Sequence, residues 1–136
     1  MAPKRCLVEL GKDIEVIKPG EELTLENIEI KAVEAYNTRQ GSSTRKQHKK
    51  GEGVGYLMTT NSKTIYPAGD TDFIPEMREL GRVDAGMLPI GGTFTMDIQE
   101  AIEVAVAIKP KAVIPMHHLK ANPREFKKKI RGKIRC

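Results

Sequence analysis

The stretch Ile65-Tyr66-Pro67-Ala68-Gly69-Asp70-Thr71-Asp72 decides how the chain is read. An apolar run stops abruptly at Gly-Asp-Thr-Asp, the pattern of a buried strand that ends in a glycine turn and at once presents two carboxylates. Carboxylates held at a strand end can act as oxygen ligands to a metal ion or accept a substrate proton. Asp70 can equally cap a short helix or hydrogen-bond its own turn, and both readings stay open on these residues alone.

Working upstream, Val54 to Thr59 reads as a strand and Thr60-Asn61-Ser62 as a tight turn. Thr64 to Ala68 is then the returning arm of a hairpin that delivers Gly69-Asp70. Residues 37–53 contain no apolar side chain, and a polar connection of that length inside a compact domain is functional or disordered. Further back, Asp13 to Ile17 alternates as a strand, and Lys18-Pro19-Gly20-Glu21 forms a turn. Leu23, Leu25 and the run Ile28 to Tyr36 continue the alternation. These are signals of an antiparallel meander.

Downstream, Pro75 opens a short helix over Glu76 to Leu80 that Gly81 stops, and Ala85 to Ile90 is a buried strand ending in Gly91-Gly92. Asp97 and Glu100 form a capping pair ahead of a helix over Ile98 to Ile108, with Ile98, Ala101, Ile102, Ala105 and Ile108 on one face. Pro110 ends it. Ala112 to Met116 is a further strand that runs into His117-His118, and Asn122-Pro123 starts a basic helix anchored by Phe126 and Ile130. The fold class is therefore α/β: an antiparallel meander followed by alternating strands and helices, layered as a sandwich.

Residues 1–136 are expected to form a single domain, large enough to bury a core. The net charge of +5 permits a polyanionic partner, and the cations concentrate in Arg45 to Lys50 and Lys127 to Arg135. Runs of this kind more often form solvated loops and tail faces, and no aromatic pattern accompanies them, so nucleic-acid binding is not expected. Cys6 and Cys136 lie near opposite ends without Cys-x-x-Cys spacing, which gives neither a zinc knuckle nor a redox motif. No run approaches the roughly 20 apolar residues that cross a bilayer, and no basic leader precedes an apolar segment, so a soluble cytoplasmic protein is expected.

Three strand ends are similar in type: Gly69-Asp70-Thr71-Asp72, Ile90-Gly91-Gly92-Thr93 and Met116-His117-His118. In layered α/β folds, sites gather at strand ends because loops there expose side chains while the sheet holds them still. A carboxylate and an imidazole from two such ends suit a divalent metal such as Zn²⁺ or Mn²⁺. On composition alone His117 and His118 can be exposed residues closing a strand, and His48 an ordinary solvated loop histidine. Gly91-Gly92 can cradle an anion through its N–H groups.

Taken in order, four segments resemble a known pattern: Gly51-Glu52-Gly53-Val54-Gly55-Tyr56, Tyr66 to Asp72, Leu88 to Asp97, and Ile114-Pro115-Met116-His117. Together they look like the C-terminal portion of a metallo-β-lactamase-fold hydrolase. The branch they are most similar to includes ascorbate-6-phosphate lactonase-like proteins and archaeal Zn-dependent hydrolases. The resemblance implies a partial αββα sandwich. It also implies Asp70 as a carboxylate bridging two metals and His117 as a ligand of the second. The family's further histidine falls on His48, with Asn37 as the other position to weigh, and Asp72 is assigned to the helix that follows it.

One part of the pattern is missing. The family's His-x-His-x-Asp-His motif is not in this sequence, whose only histidines are His48, His117 and His118. The resemblance therefore implies a truncated or split metal-dependent hydrolase, inactive alone, in which zinc (or manganese) activates water against an ester, lactone or phosphoester. An exposed sheet face in such a half sandwich implies self-association or a partner chain supplying the other half. The alternative is a non-catalytic binding or structural remnant whose basic surface engages a polyanion.

Overall fold

The computed structural model describes residues 16–134. Its frame is a six-stranded sheet whose spatial order follows the sequence: β1 (Glu22–Leu25), β2 (Ile28–Ala35), β3 (Gly53–Thr60), β4 (Lys63–Pro67), β5 (Ala85–Pro89) and β6 (Ala112–Met116). The first four strands pair antiparallel, and β5 and β6 join parallel. The β3–β4 hairpin turns on Asn61 and Ser62, both at positive φ (48° and 58°), the handedness that matches the twist of the flanking strands.

Parallel pairing needs crossovers. One passes through a 3-10 segment, Pro75–Glu79, and the other through α1 (Ile98–Ile108). The short helix expected over Glu76 to Leu80 is thus corrected to five residues of 3-10 geometry. Pro75 fixes its start and Gly81, at φ 73°, follows closely, which leaves too little chain for α-helical turns. The longer helices match expectation. Asp97 caps α1 by accepting from the Glu100 N–H at 2.9 Å, and Lys109 ends it in the left-handed region. Asn122 caps α2 (Pro123–Ile130), accepting from the Arg124 N–H at 2.9 Å.

Both helices cover one sheet face. Tyr66, Leu88 and Val113 meet Ala101, Ile102, Val104 and Ala105 of α1, Phe126 and Ile130 of α2, and Ile74 and Met77 around the 3-10 segment. The Tyr66 hydroxyl is buried here without a partner among the described residues, and burial raises its pKa. On the opposite face the register aligns Ile30, Met58 and Ile65, and beside them Met87 and Ile114. A small cluster of Ile17, Ala32 and Val54 covers one end of that face, whereas Ile65 and Ile114 remain 39% and 49% exposed.

Of the strand expected over Asp13 to Ile17, residues 13–15 lie outside the described residues, as do both cysteines; Val16 forms an isolated bridge. No helix among the described residues is long and apolar enough to cross a membrane.

Candidate metal centre

The site forms where β4 and β6 end beneath the polar loop 37–52. Ala68 continues the β4–β5 pairing by one bond, its N–H donating to the Met87 carbonyl at 3.0 Å. Gly69 then takes φ 75°, and a Cβ at this position would lie 2.7 Å from the Val54 carbonyl oxygen, so only glycine lets the chain turn here against β3. Asp70 emerges from this turn with its side chain 42% exposed. On the neighbouring edge, Gly91 packs so close to the His117 carbonyl that a Cβ would approach within 2.6 Å of it. His117 itself adopts φ 45°, a strained conformation for a side chain of this size and one often found at functional positions.

The loop is pinned, contrary to the reading of His48 as an ordinary solvated residue in a free connection. Asp72 is fully buried and accepts from the N–H groups of Thr38 (2.9 Å) and Ser43 (3.2 Å), the Ser43 hydroxyl (2.7 Å) and the Lys46 ammonium (3.2 Å). Asp72 therefore organises the loop that precedes it in sequence. The assignment of Asp72 to the following helix is corrected, because that segment has no side-chain cap. The Asp97–Glu100 pair is also only half a capping box. Ser42 is interposed: its hydroxyl accepts from the Asp97 N–H at 2.8 Å and donates to the Glu100 carboxylate.

Asn37 sets the position of His48. Its Oδ1 accepts from the N–H groups of Gln47 (3.0 Å) and His48 (2.9 Å), its own N–H donates to the His48 carbonyl (2.8 Å), and its Nδ2 donates to the Phe94 carbonyl (2.9 Å). The far end of the loop is tied by Lys50, which pairs with Glu76 and lies over the Tyr36 ring, while the Tyr36 hydroxyl donates to Glu76 at 3.0 Å. Burial and the adjoining Glu76 carboxylate raise the Tyr36 pKa. Burial works to raise Glu76 as well, but hydrogen bonds from Lys50, its own backbone and Tyr36 outweigh it and hold the carboxyl below its ordinary value.

This scaffolding brings Asp70, His48 and His117 together. His48 Nε2 lies 3.6 Å from Asp70 Oδ2, and His117 Nε2 lies 3.6 Å from Asp70 Oδ1. Both separations exceed hydrogen-bond length. Two ligands of one tetrahedral zinc ion, at bond lengths of about 2.0–2.2 Å, stand roughly 3.4 Å apart. The two imidazoles thus face different oxygens of one carboxylate at a spacing that suits shared cations, and the donor set fits a borderline divalent metal. Among the described residues, no three His, Cys, Asp or Glu side chains gather around a single cation position. His118 is exposed and stands outside the group. The Gly92 N–H donates to the Met96 carbonyl at 3.1 Å and is not free to cradle an anion.

Comparison with known proteins follows the same lines. Residues 5–117 match the family described as the beta-lactamase superfamily domain. A UPF0173 metal-dependent hydrolase from Nanoarchaeum equitans is 46% identical over 91 residues, which is 61% of this chain and 42% of that protein. Another from Thermoplasma acidophilum is 37% identical over 129 residues, covering 89% of this chain and 55% of the relative. The chain therefore spans about half the length of the curated relatives it matches. A crystal structure from Parabacteroides distasonis, named as a candidate metal-dependent hydrolase, superposes with a TM-score of 0.88 at 32% identity. It covers 98% of this chain and 60% of that one.

Proposed function

The chain belongs to the beta-lactamase superfamily, and from that premise we propose that its residues form one part of a metal-dependent hydrolase site, with Asp70 placed between two cation positions. The observation that carries this reading is the pairing of each Asp70 oxygen with a different imidazole, His48 on one side and His117 on the other, each at 3.6 Å. When bound, zinc or manganese supplies a lowered pKa for water and Lewis acidity toward a carbonyl or phosphoryl oxygen, which fits an ester, lactone or phosphoester as substrate.

The protein's own residues do the positioning. Asp70 stands between the two imidazoles and turns one oxygen toward each; Asn37 locks the backbone of His48; the close approach of Gly91 fixes where His117 leaves β6. Each His–Asp pair offers two donors, whereas a catalytic zinc takes three protein ligands. The remaining ligands come from outside the described residues, and the exposed face carrying Ile65 and Ile114 is where a second sheet layer, from a partner chain or a second copy, packs. Hydrolysis by the 136-residue chain alone is not expected.

Complementation tests this. The chain is mixed with the part of the Thermoplasma acidophilum relative that it does not match, supplied with Zn²⁺ or Mn²⁺, and assayed on ester, lactone and phosphoester panels. Turnover in the mixture, absent from either component and abolished by Asp70→Asn, is the expected result. Turnover indifferent to Asp70→Asn overturns the proposal. Size-exclusion with light scattering tests the sheet face: association weakened by Ile114→Ser is expected, and a dilution-independent monomer in every mixture contradicts it.

A further inference from the structure

Positive charge is distributed unevenly along this chain. Residues 123–136 contain seven of the 23 Lys and Arg side chains and one of the 18 carboxylates, a net of +6, against −1 for the preceding 122 residues. The whole excess charge of the protein is thus carried by the last fourteen residues, which include α2. Phe126 and Ile130 point into the core and are fully buried, so the cations are left on the outer side. Arg124, Lys127, Lys128 and Arg131 recur at i, i+3, i+4 and i+7, which places them along one helical face over about 10 Å.

These side chains line a concavity. Arg124, Lys127, Lys128, Arg131 and Lys133 surround a hollow of about 750 Å³, and Lys133 and Ile134 also border a second hollow of about 710 Å³ that reaches Lys109 at the end of α1. None of the five pairs with a carboxylate among the described residues, although Lys129 close by is bound to Glu125 at 2.7 Å and Lys111 to Asp84 at 2.7 Å. A row of uncompensated cations around a concave surface is an electrostatic footprint for a linear polyanion.

Against the expectation from the sequence that this basic run does not bind nucleic acid, and on the strength of its unpaired cations around one hollow, we propose that this groove docks the phosphate backbone of a nucleic-acid duplex. A duplex carries one negative charge per about 1.7 Å of axis, and the row of cations meets it by displacing condensed counterions. No aromatic side chain lines either hollow. That disfavours a single strand, whose unstacked bases need aromatic platforms, and suits a duplex, whose bases are already stacked and which offers phosphates alone. An anionic membrane fits less well, because the apolar residues of α2 are spent on the core and none remains to enter lipid.

The test is fluorescence anisotropy of a labelled 20-base-pair DNA duplex with the full 136-residue chain between 50 and 200 mM salt. Five phosphate contacts predict a slope of log K against log salt near −4.5, hence a loss of about 500-fold in affinity over that range. The Lys127→Gln/Lys128→Gln/Arg131→Gln variant, checked for retained helicity by circular dichroism, should show a slope shallower by nearly 3. Lys63→Gln, at the start of β4, should leave the slope unchanged. Absence of duplex binding at 50 mM salt, an unaltered slope in the triple variant, or tighter binding of a single strand or of vesicles rich in anionic lipid overturns the proposal.

Discussion

Residues 45–50 and 127–133 are both dense in lysine and arginine, and the fold uses them in opposite ways. In the first, Lys46 reaches the buried Asp72 at 3.2 Å, Lys50 binds Glu76, and the Arg45 guanidinium lies 5.7 Å from the centre of the Phe94 ring. In the second, Lys129 alone has a carboxylate partner among the described residues, its helical neighbour Glu125. The contrast teaches that a cation's role is set by whether a buried acceptor lies within its reach. Charge density along the chain says nothing about this. The loop cations hold a site together, and the helix cations remain available to a partner.

The comparison breaks most visibly at the anchor of α2. Phe126→Ala removes a fully buried ring that fastens the helix, and a loss of about 3–5 kcal/mol in urea unfolding is expected. If the loss is below 1 kcal/mol, the helix is held by something other than its apolar face. Next is Asp72→Ala, which strands the Thr38 and Ser43 N–H groups and Lys46. It should cost about 2–3 kcal/mol and shift the amide resonances of residues 38–48 together.

Equal charge changes in the two segments sharpen the contrast at smaller scale. Lys46→Gln should destabilise by about 1 kcal/mol, whereas Lys127→Gln should stay within about 0.5 kcal/mol, both read by urea unfolding. Equal costs would erase the distinction between inward and outward cations.

A third use of basic side chains lies at the opposite end of the sheet. Lys111 binds Asp84, the Thr64 N–H donates to the same carboxylate at 3.0 Å, and Arg82 adds a contact at 3.2 Å; together these hold the Asp84 carboxyl well below the usual range. A carboxyl depressed in the folded state contributes stability that is present above its unfolded value, near 3.9, and lost as pH falls toward the folded value. The stability gap between the wild type and Asp84→Asn should accordingly be flat above about pH 5 and narrow below about pH 4. A gap that instead grows on acidification contradicts the ion-pair account.

Local pattern carried much of the fold. The Asp97 cap, the apolar spacing of α1 and the Pro110 stop fix that helix, and Phe126 with Ile130 fix the buried side of α2. The loop was not legible in the same way. Its acceptors are supplied by Asp72 and Glu100, which lie 26 to 58 residues away in sequence, and no periodicity encodes such bonds. The cluster Gly41-Ser42-Ser43-Thr44 was the one local hint, since small hydroxyl residues favour bonded turns. The site shows the same limit. Asp70, His48 and His117 come from three separate segments, and what grouped them in the sequence was a resemblance between ordered motifs; the spacing of the residues did not.

The central claim is that one carboxylate, Asp70, serves two imidazoles through shared cations. Titration of the isotope-labelled chain with Zn²⁺, followed through histidine side-chain nitrogen resonances, tests it directly. The account predicts that Nε2 of His48 and of His117 shift together, that His118 does not follow, and that Asp70→Asn weakens both responses. Shifts confined to His118, or unaltered responses at His48 and His117 in Asp70→Asn, would contradict it.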